Sequence, residues 1–434
     1  MKKVYLILFI TFSTLAHSYT SNSLDILNRI KNKVLHQGDS ERDDAIAKGL
    51  HEVERNTKPK VKTEEAEKQK TKKGVIAQND TVPSAKAETQ LSYTSKYDFV
   101  QGDKIIAYED FNAVNLGDFP LKWNTNASAE VVTVDNMEGK WLKIGEKGIF
   151  HPEFITNLPE NFTFEFDLGV NNANYLSPLC LNFADLKKPE DFVDYAYLVS
   201  IRPEHAVHLE FSAANAVYDG VSKLITGKAG VATINNAVNY KVWDVSKNNR
   251  AHISVWRQNQ RLRVYLNGEK IWDTPRAFET SGNYNAITFA FYGPYGKEDY
   301  YLLSNIRLAV GAPDTRNKLL TEGKFVTSGI HFDVDSDKIK PDSYGILREV
   351  ATVLKENEAV KIKIIGHTDS DGDDSKNMEL SKKRAESVKN ALINDFQISS
   401  SKMETDGKGE AMPVSKNDTP VGKAQNRRVE FMKM

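Results

Sequence analysis

Residues 261–272 (RLRVYLNGEKIW) leave the backbone little choice of conformation. Leu262, Val264 and Leu266 alternate with Arg261, Arg263 and Tyr265, the two-residue period of a strand with one apolar face. Asn267-Gly268 follows, two residues that tolerate the positive φ of a tight hairpin turn. Similar short runs recur at 162–168 (FTFEFDL), 195–201 (YAYLVSI), 207–211 (VHLEF), 252–257 (HISVWR) and 287–292 (ITFAFY). All are read as strands. Many short strands with no helical period between them predict a two-sheet β-sandwich over residues 98–315.

From residue 316 onwards the period changes. Residues 329–332 read as a strand, and Pro341 suits the first turn of a helix. Leu347, Val350, Ala351 and Leu354 then recur at helical spacing. Residues 360–366 (VKIKIIG) form a strand, Leu380, Ala385, Val388 and Leu392 mark a helix over 377–396, and Val429 with Phe431 alternate in a last strand. Strand–helix–strand–helix–strand in so short a span predicts an α/β domain, residues 316–434, with a mixed sheet and helices on one face.

Length and composition set outer limits. At roughly 100–200 residues per domain, 434 residues make two or three domains. Lys plus Arg is 58 against 59 acidic residues, which excludes a generally basic nucleic-acid binder. The single cysteine, Cys180, excludes an intrachain disulfide framework and an all-cysteine metal site, and it reads as a small buried apolar residue. Lys2-Lys3, the apolar run 4–15 and the small residues of Ala16-His17-Ser18 have the order of an export signal, residues 1–18. No run reaches the ~20 apolar residues of a spanning helix, and no cysteine follows the signal to carry lipid. A soluble, extracytoplasmic protein with no membrane span is expected. Residues 19–97 combine a short amphipathic helix over 23–36 with the charged, partly disordered linker 55–73.

Several side chains exceed the needs of a core. Asp369 stands just past the C-terminal end of the 360–366 strand, a common place for ligand groups in α/β folds. Asn377 and Arg384, two helical turns apart, share a helix face, and Asn426-Arg427-Arg428 opens the final strand. His367 and Arg428 read as packing and surface or sheet-pairing residues. Asp369, Asp371 and Asp374 make an acidic loop, but the sixth and twelfth positions of a calcium loop would fall on Asp374 and Leu380. Glu165 and Asp167 share one sheet face and read as half-exposed polarity. Trp123, Trp141, Trp243, Trp256 and Trp272 read mostly as core.

These residues carry two resemblances. The run 261–268 and the strand rhythm around it resemble the concanavalin-like, or laminin-G-like, jelly rolls. GHTDSDGDDSKNMELSKKRAESVKNAL, then KGEAMPVSKNDTPVGKAQNRRVEF, with IHFDVDSDKIKP upstream, resemble the OmpA-like peptidoglycan-binding domain over residues 325–434. That family binds diaminopimelate of the peptidoglycan stem peptide non-covalently. The resemblance implies that Asp369 pairs with the ligand ammonium and Arg384 with its carboxylate. Asn377, Arg427 and Asp333 correspond to further pocket positions. The loop Ser370–Asp374 is more acidic than the family pattern. On a β-sandwich, laminarinase-type hydrolases read E-x-D-x-x-E; Val170 stands where the second acid belongs, so no enzyme and no cofactor are expected. The expectation is a periplasmic, peptidoglycan-associated envelope protein of a Gram-negative bacterium, at the inner face of the outer membrane. Its sandwich would bind a glycan or an envelope protein. The alternatives are a wall-tethered polysaccharide-acting enzyme and a structural adhesin or assembly subunit.

Overall fold

The computed structural model describes residues 98–171, 177–199, 201–294, 296, 299–311 and 315–434. The export signal, the 23–36 helix and the charged linker lie outside the described residues.

The described chain begins with a β-rich region. Its strands are β1 (Lys104–Glu109), β2 (Trp123–Thr125), β3 (Glu130–Val134), β4 (Met137–Ile144), β5 (Gly148–Pro152), β6 (Asn161–Asn171) and β7 (Leu179–Ala184). After a short helix, α1 (Tyr195–Val199), come β8 (Ala206–Ser212), β9 (Gly220–Lys228), β10 (Val231–Tyr240) and β11 (Arg250–Gln258). β12 (Arg261–Leu266), β13 (Glu269–Thr274), β14 (Ala286–Phe291) and β15 (Tyr300–Val310) complete it. One sheet runs β13-β12-β11-β6-β15-β4-β3, with β1 added on β15; the other runs β10-β9-β8-β7-β14-β5-β2. Both sheets contribute to one core, rich in Phe162, Phe164, Phe166, Phe183, Phe211 and Phe289. Trp123, Trp141, Trp243 and Trp272 are buried, as is Cys180.

The β12–β13 hairpin forms as its sequence demands. Asn267 and Gly268 take φ of 49° and 84°, the pair of positive angles a two-residue turn requires. The run 195–201 is corrected: it begins as helix α1, not a strand. The Asp194 carboxylate accepts a hydrogen bond from the Tyr197 N–H at 3.0 Å, a local cap that the aromatic alternation does not reveal.

The C-terminal region contains α2 (Thr315–Leu320), β16 (Lys324–Thr327), α3 (Tyr344–Glu356), β17 (Ile362–Gly366), α4 (Asp374–Asn394), β18 (Met403–Gly407), α5 (Pro420–Asn426) and β19 (Val429–Lys433). Its sheet order is β16-β19-β17-β18; β17 and β18 are parallel across the α4 crossover and the other pairs antiparallel. The mixed α/β sheet matches the expectation. The strand expected at 329–332 does not form: β16 ends at Thr327, whose Oγ accepts the Gly329 N–H at 2.9 Å. Phe332 keeps only an isolated bridge to Ile339. β18 and α5 carry weak apolar patterns, and the sequence shows them only through their motif residues.

The two regions touch through both buried and exposed contacts. Val100 packs on the C-terminal core, and Ile105 and Ala309 cluster with Ala424 of α5. Arg307 Nη2 donates to Ser328 Oγ at 3.0 Å, and the Val334 N–H donates to Glu138 at 2.9 Å.

Candidate functional site

Four local devices build the site, and each explains a letter of the C-terminal motifs. Gly366 ends β17 beneath α4, where an added Cβ would collide with the Ser381 carbonyl; Gly407 meets α4 at Lys382 in the same way. The glycines therefore let the helix lie directly over the strand ends. Ser381 Oγ, buried there, accepts the Gly409 N–H at 2.9 Å and ties down the loop after β18. Asp373 caps α4, its carboxylate accepting from the N–H groups of Ser375 and Lys376 at 2.9 and 3.1 Å.

The last motif is equally economical. Thr419 Oγ caps α5 by accepting the Gly422 N–H at 3.0 Å, and Pro420 opens its first turn. A Cβ on Gly422 would strike the Lys416 carbonyl. Asn426 is buried: its amide oxygen accepts from Val414 and Ser415, and its nitrogen donates to Ser415 and Asn417. The loop 414–417 is thereby held against the end of α5, fixing where Arg427 leaves the helix.

All five residues expected in the pocket (Asp333, Asp369, Asn377, Arg384 and Arg427) line one cleft of about 330 Å³. Asp369 is buried and its carboxylate pairs with the Arg427 guanidinium and accepts the Asp371 N–H at 3.2 Å. Its partner within the protein is thus Arg427. Arg384 Nε donates to the Ser336 carbonyl at 2.9 Å and Nη2 to that of Asp333 at 3.5 Å, and the guanidinium lies 4.9 Å from the Phe332 ring centre. Burial, and then the like charge of Arg427, push the pKa of Arg384 below its usual range. Such a cation gains from an anionic partner. Asn377 Nδ2 donates to Glu410 at 2.7 Å and to the Asp371 carbonyl at 2.9 Å, so it braces the loop that carries Asp369. Asp333 contributes its carbonyl, while its carboxylate stands 3.7 Å from Lys338.

The surface reading of Arg428 is corrected, and the packing role read for His367 agrees with its burial. Arg428 is not on the surface: it is buried and grips Glu430 Oε1 through Nε and Nη2 at 3.0 and 2.8 Å. His367 is buried beside that pair, and burial, followed by the charge of Arg428, pulls its pKa down to about 4. In the acidic loop Asp371 pairs with Lys423 at 2.7 Å, while Asp373 is spent on the cap.

Sequence reasoning missed the contribution of the β-rich region. Tyr108 of β1 lies 5.3 Å from the Arg427 guanidinium, and Asp110 lines the same cleft. Glu165, Asp167 and His252 of the β-rich region line it too, beside His331 and Asp342 of the OmpA-like domain. Glu165 is not half-exposed sheet polarity: it is buried and paired with Arg307 at 2.7 Å. A polar position on β6 carries no sign of what covers it, so no local signal marks these residues.

Comparison with known proteins agrees with the motifs. Residues 331–427 match the OmpA family model and form an OmpA-like domain. Over 101 residues, 23% of the chain, the sequence is 41% identical to Outer membrane porin F of Pseudomonas fluorescens, covering 31% of that protein. Over 104 residues, 24% of the chain, it is 45% identical to the Probable lipoprotein YiaD of Escherichia coli, covering 47% of it. The chain thus spans less than half the length of these curated relatives. Among solved structures, the peptidoglycan-associated lipoprotein from Burkholderia pseudomallei aligns at 31% identity, over 24% of this chain and 88% of that one, with a TM-score of 0.23.

Proposed function

We propose that this OmpA-like domain binds peptidoglycan non-covalently, taking the diaminopimelate of a stem peptide into the cleft of Asp369, Arg384 and Arg427. One observation carries the reading. The cleft sets a buried carboxylate near two guanidiniums, one paired with it and the other held by backbone carbonyls with its charged form disfavoured. The free end of diaminopimelate carries an ammonium and a carboxylate, which ask for fixed groups of both signs. Its carboxylate meets the planar fork of Arg384, and its ammonium shares Asp369 with Arg427. Asn377 and Asp333 act as positioning residues, holding the Asp369 loop and the Arg384 fork.

On this reading the protein is a non-catalytic envelope component, working in the periplasm at the wall beneath the outer membrane. The β-rich region is a module that brings a glycan or an envelope protein to the wall. The test is co-sedimentation of the full chain with purified sacculi, beside an Asp369→Ala/Arg384→Ala double variant. Unmutated protein is expected to pellet with diaminopimelate sacculi and not with sacculi whose stem peptides carry lysine. Equal pelleting of the double variant, or of both sacculus types, overturns the assignment.

A further inference from the structure

In the same cleft, β6 and β11 of the β-rich region face the turn before α3, and three potential ligand atoms converge there. His252 Nε2 lies 3.4 Å from Glu165 Oε2 and 3.4 Å from Asp342 Oδ2. All the ligand atoms of this trio lie within 4.8 Å of one another. We propose that Glu165, His252 and Asp342 bind a divalent first-row metal ion, with zinc as the probe, and that the ion ties the β-rich region to the OmpA-like domain.

Three observations support the site. The first is spacing. Zinc bonds to imidazole nitrogen and carboxylate oxygen are ~2.0–2.2 Å, so the ligand atoms of a tetrahedral site stand about 3.3–3.6 Å apart. The separations from His252 Nε2 to each carboxylate fall in that interval.

The second is orientation by outer partners. His252 Nδ1 lies 2.6 Å from Asp167 Oδ1, and Asp167 Oδ2 accepts from Asn305 Nδ2 at 2.7 Å. The carboxylate can only accept, so Nδ1 carries a proton, and Nε2 is the ring nitrogen directed between Glu165 and Asp342. A carboxylate behind a histidine, fixing its tautomer, is the usual support of a metal-bound imidazole. Glu165 is braced in turn by Arg307 Nη1 and Gln101 Nε2, at 2.7 and 2.6 Å, and Asp342 by His331 Nδ1 at 2.6 Å.

The third is unmet demand. Asp342 is 5% exposed and its Oδ1 has no hydrogen-bond partner among the described residues; His252 Nε2 has none either. Buried polar atoms of this kind are rare and costly. A cation at this point gives His252 Nε2 a partner and lies against the Asp342 carboxylate, whose Oδ1 is otherwise unused. It also adds positive charge beside Glu165, Asp167 and Asp342, whose nearby permanent cations are Arg307 and Lys340. The His252 side chain, 22% exposed, looks into the cleft, which supplies both an entry path and a water for the fourth position.

The full chain, stripped with a chelator and exposed to zinc, is desalted and its metal content measured by elemental mass spectrometry. Affinity is read by competition with a chromophoric chelator. One tightly held zinc per chain is expected, lost in His252→Ala and in the near-isosteric Asp342→Asn, and weakened ~10–100-fold in Asp167→Asn, which removes only the support. Should either ligand variant misfold by circular dichroism, the ¹⁵N resonances of His252 in the unmutated chain decide. Zinc is expected to shift Nε2 and leave Nδ1 protonated. The proposal falls if stripped protein takes up no more zinc than the folded variants. It falls equally if both His252 nitrogens carry protons and ignore the metal, because a proton then holds the space.

Discussion

The β-rich region and the OmpA-like domain bury their apolar residues in different ways. In the β-rich region a pair of sheets stacks face to face at the roughly 10 Å spacing usual for such layers, and rings fill the gap: Phe164 alone neighbours Phe166, Phe183 and Phe289. In the OmpA-like domain helices lie on one sheet, and branched aliphatics such as Leu347, Val350, Leu354, Ile364 and Val388 predominate around one stacked pair of rings, Phe325 and Phe431. The charges differ as well. In the β-rich region they cluster on the outer face of β6 and its neighbours, and that face is then covered. In the OmpA-like domain Asp369 and Arg427 stand at the ends of β17 and β19 and line the cleft. A strand thus alternates apolar and polar without either side meeting water: Phe162, Phe164 and Phe166 face the core, and Thr163 and Glu165 are also buried.

The largest expected effect tests the ring-filled core. Phe164→Ala removes a fully buried ring from between the sheets and is expected to cost about 3–5 kcal/mol in urea unfolding. A loss below about 1 kcal/mol would mean that the two sheets are not packed through their rings.

The next effect is a pH dependence of the OmpA-like domain. The pKa of His367 falls from an ordinary 6.5 to about 4 because the site is buried and because Arg428, Lys324 and Lys408 outweigh Glu430. Below pH 6.5 the unfolded chain takes up a proton that the folded chain refuses until about pH 4. Stability contributed by this residue is therefore complete above pH 6.5 and declines as the pH falls through that window. His367→Gln is expected to flatten the unfolding free energy between pH 6.5 and 4. An unchanged slope would sink the assignment.

Gly366→Ala tests the strand-end geometry. The added methyl meets the Ser381 carbonyl of α4, and overpacking of this kind costs ~1–3 kcal/mol. Because α4 also carries Asn377 and Arg384, sacculus binding is expected to weaken while the variant is still folded. If binding is unchanged, the placement of α4 over β17 does not set the cleft.

How much of this can be read from the sequence follows the same division. In the OmpA-like domain the motifs bring the five candidate residues to one cleft, while the devices that place them, a cap at Thr419, cradles at Gly366 and Gly422 and a loop clamp at Asn426, show only in the structure. What escapes is which charges pair. Asp369 meets Arg427, 58 residues away, and nothing in the spacing prefers it over Arg384. In the β-rich region the hairpin at Asn267-Gly268 and most strands are legible from alternation. Their neighbours in the sheets are not, since β6 pairs with β11 and β15, far along the chain. For that reason Glu165 reads as polar surface: its burial comes from Gln101, Arg307 and a face contributed from elsewhere in the molecule. The run 195–201 misleads for a local reason, a single carboxylate cap on a short helix.

The smallest effect sharpens the comparison most, because it separates a residue that builds the site from one that touches the ligand. Thr419 is a cap whose hydroxyl accepts one N–H of a seven-residue helix. Thr419→Ala should cost about 1 kcal/mol of stability, the usual worth of such a cap. The helix it starts ends at Arg427, so a frayed first turn loosens the guanidinium that holds Asp369. Sacculus affinity is then expected to drop by a few-fold, and the specificity for diaminopimelate over lysine sacculi should survive, because both charge signs remain in place. Serine at the same position keeps the oxygen and should restore the stability and the affinity together. If alanine abolished the specificity as well, Thr419 would have to contact the ligand itself, and the site would extend onto the loop before α5.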